Sequence, residues 1–354
     1  MELLLTDEQT LLRDSAATFA ERRGGAAGLR ALRTADAKID RGLWREAAEA
    51  GWLAILADES AGGLGLGLTE LCLVTQELGK KLIPLPIGAV AATAAAIGDA
   101  DTVTRIVAGD RIVLPALAEG PRMLGDEAPG TAASPDTTLS GSKHGVPYAG
   151  DANGFLVSAS AGGSALLYLV DTADISIETA PTMDGAVAGR LVFDGTAARP
   201  ACGPNEAPAA LARLLDAMHL AAAAELLGIM EGAHAIALDY LKVREQFGKP
   251  IGAFQALQHR AVDSLAAIEM CRSLIYQAAS AIDARGSTPG LASAAMSLAA
   301  RNAMTVTKTA IQMHGGIGFT DEHDIGLYLK RAMTLTATYG NAGLHRKRYA
   351  ESAA

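Results

Sequence analysis

Aromatic residues are scarce in this chain: phenylalanine, tryptophan and tyrosine make up 4% of its 354 residues. With hydrophobic residues at 50%, the core must be built largely from alanine and leucine, which favours helices over a sandwich. Cysteine is rare too. Cys72, Cys202 and Cys271 are odd in number, far apart and without CxxC spacing. They offer no disulfide framework and no zinc site, and suit a reducing cytoplasm. An excess of positive charge is also missing. The net charge of −9 and pI near 5.3 argue against a phosphate-backbone partner, which needs clustered lysine and arginine. No basic run opens residues 1–7, so a secretory leader is not expected. The apolar run 88–97 is too short to span a bilayer, and the longer stretch near 220 is interrupted by Glu225. The expectation is a cytoplasmic protein without membrane, nucleic-acid or metal partners.

What is present divides into three stretches. Thr6-Asp7-Glu8-Gln9 opens a helical pattern with Leu11, Leu12, Ala16 and Phe19 at helical spacing, Thr6 being the N-cap. Further helices are expected at 43–50 and 68–81. The glycine run 61–67 between them is a connecting loop. A dinucleotide site would need a strand–turn–helix unit around the run and an acidic partner downstream, and neither is there. From about 111 to 199, short apolar runs (112–117, 155–159, 165–170, 190–193) alternate with Gly, Pro, Asp and Ser, the pattern of strands and turns. After a Pro/Gly/Ala linker at 201–208, helical spacing returns over 209–244, 257–285 and 291–314. The expected class is α+β: an N-terminal helical domain (1–110), a middle antiparallel β domain (111–205) and a C-terminal four-helix-bundle domain (206–354).

Two motifs carry the functional argument. The first is Arg244-Glu245-Gln246-Phe247-Gly248, followed by Gly252-Ala253-Phe254-Gln255. The second is Gln312-Met313-His314-Gly315-Gly316-Ile317-Gly318-Phe319. A planar, always-charged guanidinium suits a pyrophosphate. Phe247 offers an apolar face beside it, and Gly315-Gly316 removes Cβ atoms so that backbone can approach a cofactor. The bland reading is a surface arginine after a helix and a helix-ending glycine pair. Together, in order and with the right spacing, the motifs resemble the acyl-CoA dehydrogenase family, as does Trp44-Arg45-Glu46-Ala47-Ala48-Glu49-Ala50-Gly51-Trp52-Leu53. The resemblance spans almost the whole chain and is weakest in the middle. It implies FAD lying across a subunit interface, with Arg244, Gln246, Phe247, Gln255, Gln312, Gly315 and Gly316 as contacts to a neighbour's cofactor. It also implies an acyl-CoA substrate and electron-transferring flavoprotein as acceptor.

The departures from that family are as informative. The implied reaction removes a proton alpha to a thioester, which needs a carboxylate within hydrogen-bond reach. The family's Tyr-Glu-Gly-Thr segment corresponds to Thr338-Tyr339-Gly340-Asn341, so Tyr339 stands at the glutamate position. A phenol with a pKa of about 10 is a poor base. The alternative base position is Met218. Asp216 matches a family acid near bound acyl-CoA, whereas its arginine partner is His219; both are candidate substrate contacts. Glu225, two turns beyond Met218, is a possible substitute base, but a buried hydrogen-bond or ion-pair partner is the favoured reading. In the middle domain, Gly145 and Pro147 occupy the positions of a flavin-covering tryptophan and a flavin-binding threonine. A glycine has no ring and a proline no N–H.

Three readings follow. The first is a base-lacking subunit that contributes FAD contacts to a homologous catalytic chain, in an α2β2 assembly. Bacterial relatives acting on bulky steroid or ring-derived CoA thioesters resemble this arrangement. The second is a self-sufficient homotetrameric dehydrogenase with an unusual base. The third is a non-enzymatic acyl-CoA-binding scaffold.

Overall fold

The computed structural model describes residues 5–120, 128–287 and 290–352. Residues 1–4, part of the stretch 1–7 on which the expectation of no leader rests, lie outside them, as does the segment just after Gly120.

The N-terminal part is helical: α1 (Asp7–Arg23), α2 (Ala26–Leu32), α3 (Arg41–Glu49), α4 (Leu68–Lys80), α5 (Ile87–Ala94) and α6 (Ala100–Val107). Thr6 caps α1 as expected. Its side chain accepts from the Gln9 N–H at 3.1 Å while the Gln9 side chain accepts from the Thr6 N–H, a reciprocal box satisfying two otherwise orphaned donors. Asp40 caps α3 with its side chain alone, accepting from the Gly42 and Leu43 N–H groups. The glycine run is a loop, and a Cβ at Gly63 would sit about 2.0 Å from the Ala57 carbonyl oxygen. Those glycines serve close packing.

The middle segment contains β1 (Val113–Ala116), β2 (Ala132–Ala133), β3 (Thr138–Pro147), β4 (Gly154–Ala161), β5 (Ser164–Asp171), β6 (Ser176–Pro181), β7 (Val187–Ala197) and β8 (Arg199–Pro200). Its order is β6-β7-β3-β2-β4-β5-β8, with β1 also beside β4. Most pairings are antiparallel, but β1 and β2 both run parallel to β4. The expected antiparallel domain is therefore a mixed sheet. The chain reaches β4 from β1 only after β2 and β3, and a long connection of this kind, unlike a tight hairpin, can deliver a parallel neighbour.

The C-terminal part comprises α7 (Ala207–Val243), a two-residue ribbon of β9 (Glu245–Gln246) and β10 (Lys249–Pro250), then α8 (Gln255–Arg285), α9 (Leu291–His314), α10 (Ile325–Thr338) and α11 (Ala342–Ser352). α7 is the axis of the molecule, packed against α4, α5, α8, α9 and α10. It is long and apolar enough to cross a membrane, yet 67% of its most apolar stretch is buried inside the fold, as in the core helix of a globular protein. Two glycines set its distance from α4. A Cβ at Gly228 would meet the Gln76 carbonyl oxygen at 2.0 Å, and one at Gly79 the Glu225 carbonyl oxygen at 2.4 Å. The two backbones touch where side chains would hold them apart.

Gly228→Ala should therefore destabilise the protein by about 2 kcal/mol, because α4 and α7 must separate to admit one methyl group. Gly28→Ala, where a Cβ meets nothing within 4 Å, serves as the neutral control. Equal denaturation midpoints for the two variants would contradict this account of the contact.

Candidate functional site

A cleft of about 490 Å³ lies where the sheet meets the helices. Leu114, Leu117 and Val146 form its sheet wall, Met218 and His219 come from α7, and Met333, Ala337 and Tyr339 come from α10 and its C-terminal cap. Gly145 and Pro147 line it too. The bulge in the β3–β7 pairing between Lys143 and Val146 lets the chain turn there, with Gly145 at φ +69°. Behind the wall Lys143 is fully buried, donating to the Leu117 carbonyl, to Glu119 at 2.7 Å and to Ser158. Burial opposes ionisation of Glu119, but Lys143 and hydrogen bonds from Thr131 outweigh it and hold the carboxylate at about 2. The Leu117–Gly120 segment is thus pinned from within.

Beneath the cleft is a smaller cavity, about 40 Å³, lined in part by Met218, Glu225, Arg331 and Tyr339. Arg331 on α10 is buried between two carboxylates. Its Nε donates to Glu225 Oε1 at 2.7 Å and its Nη1 to Asp184 Oδ2 at 2.8 Å, with the Tyr148 hydroxyl at 3.5 Å. Asp184 also accepts from the Thr182 hydroxyl. Burial pushes Asp184 upward, but the Arg331 charge and the hydrogen bonds outweigh it, leaving the group below its ordinary value. For Glu225 burial prevails over Arg331, and the net shift is upward. Tyr148 holds its place at φ +56°, unusual for a residue with a side chain. The arrangement joins α7, α10 and the β6–β7 turn. Glu225 is an ion-pair partner here, and a base role for it would require Arg331 to let go.

Tyr339 caps α10 and faces both cavities; no described residue hydrogen-bonds its hydroxyl. Burial first, then the Glu225 charge, push its pKa up, so the phenol keeps its proton and can donate but not abstract. The His345 Nε2 contacts the Tyr339 carbonyl at 2.7 Å, and His345 stacks edge-on against His219 at 4.7 Å. Asp216 accepts from Ser287 and is raised by burial. His219 is buried with no partner for Nδ1. Arg348 lies close enough to act on both Asp216 and His219. The sequence did not single out Arg331, Asp184, His345 or Arg348.

The other motif residues gather elsewhere, at the far end of the bundle. Tyr240 on α7 stacks on His314 of α9 at 4.5 Å, bringing the two helix ends together. Arg244 follows four residues beyond Tyr240, and Gly315-Gly316 directly after His314. Arg244, Gln246, Gln255 and Gln312 are exposed, and no described residue pairs with the Arg244 guanidinium. Phe247 is 91% exposed and sits at φ +55°. An apolar ring held in a strained conformation in water is the signature of a surface awaiting a partner. A Cβ at Gly315 or Gly316 would meet nothing within 4 Å, leaving open space over the backbone. This donor set fits an anionic, partly aromatic cofactor: a free guanidinium, an exposed ring and uncovered amides. The cleft fits the flavin ring poorly, since Pro147 has no N–H and Gly145 no side chain. Among the described residues no cluster of His, Cys, Asp and Glu is placed to hold a metal ion.

Comparison with known proteins identifies the family. Residues 6–101 match the acyl-CoA dehydrogenase N-terminal domain, and residues 208–354 the acyl-CoA dehydrogenase C-terminal domain. The chain belongs to the acyl-CoA dehydrogenase family. It is 32% identical to acyl-CoA dehydrogenase IpdE2 of Mycobacterium tuberculosis, over 92% of this chain and 91% of that protein. Among solved structures it resembles a variant of the steroid ACAD Tcur3481-Tcur3483, with TM-score 0.91 and 34% identity, covering 98% of both chains. It also resembles the ChsE4-ChsE5 complex from Mycobacterium tuberculosis, with TM-score 0.90 and 27% identity, covering 100% of this chain and 99% of that one. Family membership makes the chain an oligomeric flavoprotein with FAD as its cofactor.

Two predictions test the buried groups. Arg331→Met would leave Glu225 and Asp184 buried without their cation and should lower stability by about 3–5 kcal/mol; a loss under about 1 kcal/mol would mean that the ion pairs contribute little. Burial, with the charges of His345 and Arg348, holds His219 well below 6.5. The unfolded chain binds a proton near 6.5 that the folded chain refuses, so this stability is present above 6.5 and lost as pH falls through the folded value. His234 and His314 shift the same way through burial. Melting temperature should fall between about pH 7.5 and about pH 5.5, and His219→Leu should reduce the slope. A pH-independent midpoint is the contrary result.

Proposed function

We propose that this chain is the base-lacking subunit of a hetero-oligomeric acyl-CoA dehydrogenase, supplying one end of an FAD site whose ring, base and substrate lie in a homologous partner chain. One observation carries the reading. The residues suited to a cofactor's charged end are exposed, with no described residue pairing the Arg244 guanidinium, while the residues at the reaction centre are sealed or unsuited. Arg244, Gln246, Gln255 and Gln312 face outward with Phe247 and the Gly315-Gly316 backbone beside them. Tyr339 stays protonated, and Glu225 is tied to Arg331.

In the assembled enzyme Arg244 makes forked, charge-assisted hydrogen bonds to the pyrophosphate. Phe247 leaves water and packs beside the cofactor, and Gln246, Gln255 and Gln312 add polar contacts. When bound, FAD would supply the acceptor for the beta hydrogen of the acyl group, which leaves as hydride. The alpha proton goes to a carboxylate of the partner chain, since no described residue lining this chain's cleft is a carboxylate. Electron-transferring flavoprotein is the acceptor proposed for the reduced complex. The exposed Val262, Leu265 and Met270 on α8 give a helix face that a second chain would cover. Likeness to the ChsE4-ChsE5 complex and to the paired Tcur3481-Tcur3483 protein supports an α2β2 assembly.

The test is flavin absorbance relative to protein, with mass, for the chain alone and co-purified with its partner. One FAD per pair of chains is expected in the complex, and little in the chain alone. One FAD per chain in a homo-oligomer would favour the self-sufficient enzyme. Arg244→Ala should weaken FAD retention roughly tenfold or more, the loss of a charge-assisted hydrogen bond; unchanged FAD affinity would refute the assignment. Tyr339→Glu alone should not yield an active homo-oligomer, because Gly145 and Pro147 leave the ring without support.

A further inference from the structure

The cleft beside Tyr339 has no occupant under the reading above. Among its described lining residues none is charged. Four of them are prolines, Pro86, Pro115, Pro147 and Pro181, so much of the wall is fixed in backbone angle. Polar atoms on the rim are largely engaged: Thr182 donates to Asp184, Thr334 to the Lys330 carbonyl, and His144 pairs with Ser142. The exceptions cluster at one end. The hydroxyls of Thr338 and Tyr339 have no partner among the described residues, and neither has the Nδ1 of buried His219. A cleft of this volume with apolar walls and a few unspent polar groups at one end has the character of a small-molecule site.

The chemistry of those groups restricts the ligand. His219 is held neutral and Tyr339 protonated, so neither offers a charge. The diphosphate of a CoA ester would find no cation among the described lining residues, and a flavin ring would meet Pro147 where it needs an N–H. We propose that this cleft is a flavin-free binding site for a neutral apolar molecule carrying a carbonyl or hydroxyl group, which meets Tyr339, Thr338 and His219. The inference rests on the assignment of the flavin ring to the partner chain. It adds a second, redox-silent ligand site to each pair of chains.

The probe is Prodan, a neutral naphthyl ketone whose emission shifts to the blue on leaving water, titrated into the co-purified complex with FAD content measured on the same sample. Saturable binding at one site per copy of this chain is expected. Ala337→Trp, which places a ring in the cleft, should weaken it at least tenfold. His219→Leu, which keeps the wall apolar but removes one hydrogen-bonding atom, should weaken it roughly fivefold. Octanoyl-CoA should compete poorly. Prodan affinity unchanged by either substitution would place the probe elsewhere and overturn the proposal, and so would efficient displacement by octanoyl-CoA. If the complex holds one FAD per pair yet no Prodan enters this cleft, the ligand site alone fails. One FAD per chain would remove the subunit assignment and this site with it.

Discussion

Arg331 is the constraint on which the interior depends. A guanidinium this deep persists only if its charge is matched and its donors are filled, and it meets both needs through Glu225 and Asp184. Those carboxylates come from elements far apart in sequence, a core helix and a turn of the sheet. The ion pairs therefore fix the angle between the β layer and the bundle, and with it the shape of the cleft above. They also tie up Glu225, which among the described residues is the one carboxylate lining the smaller cavity. An enzyme that needed Glu225 free could not use Arg331 as its clamp.

The long elements were legible because helical spacing over 24 to 37 residues leaves few alternatives, and α7 to α9 start and end within two residues of their expected bounds. The surface motif at Arg244 and Gly315 was legible for another reason: its residues lie in two contiguous stretches. The hub was not. Glu225 stood out as an acid in an apolar run, but its partner is 106 residues away and carries no local mark. Asp184 was not singled out: it sits in a turn where Thr182 and Ala186 bond it as turns do, and nothing local marks its link to Arg331. The parallel pairings of β1 and β2 escaped because they depend on where crossovers land rather than on the strands' own composition.

Site chemistry divides in the same way. Residues suited to holding a cofactor are at the surface and cost the fold little, so they can be kept without disturbing the core. Those suited to catalysis would have to sit in the cleft, where every polar atom must be paired or neutral. In this chain the cleft took the second course, with a protonated phenol and a neutral imidazole where a carboxylate and a cation would serve a dehydrogenase.

α7 turns that division into geometry. His219, in the cleft wall, and Arg244, just past the helix end, are separated by about 37 Å along one continuous helix. No loop lies between them, so no hinge can fold the arginine back to its own cleft. Under the proposed assignment a solitary molecule is incomplete by length alone. On that assignment, whatever bridges a cleft and an Arg244 does so between two chains, and dilution below their dissociation constant would take the site apart without unfolding anything.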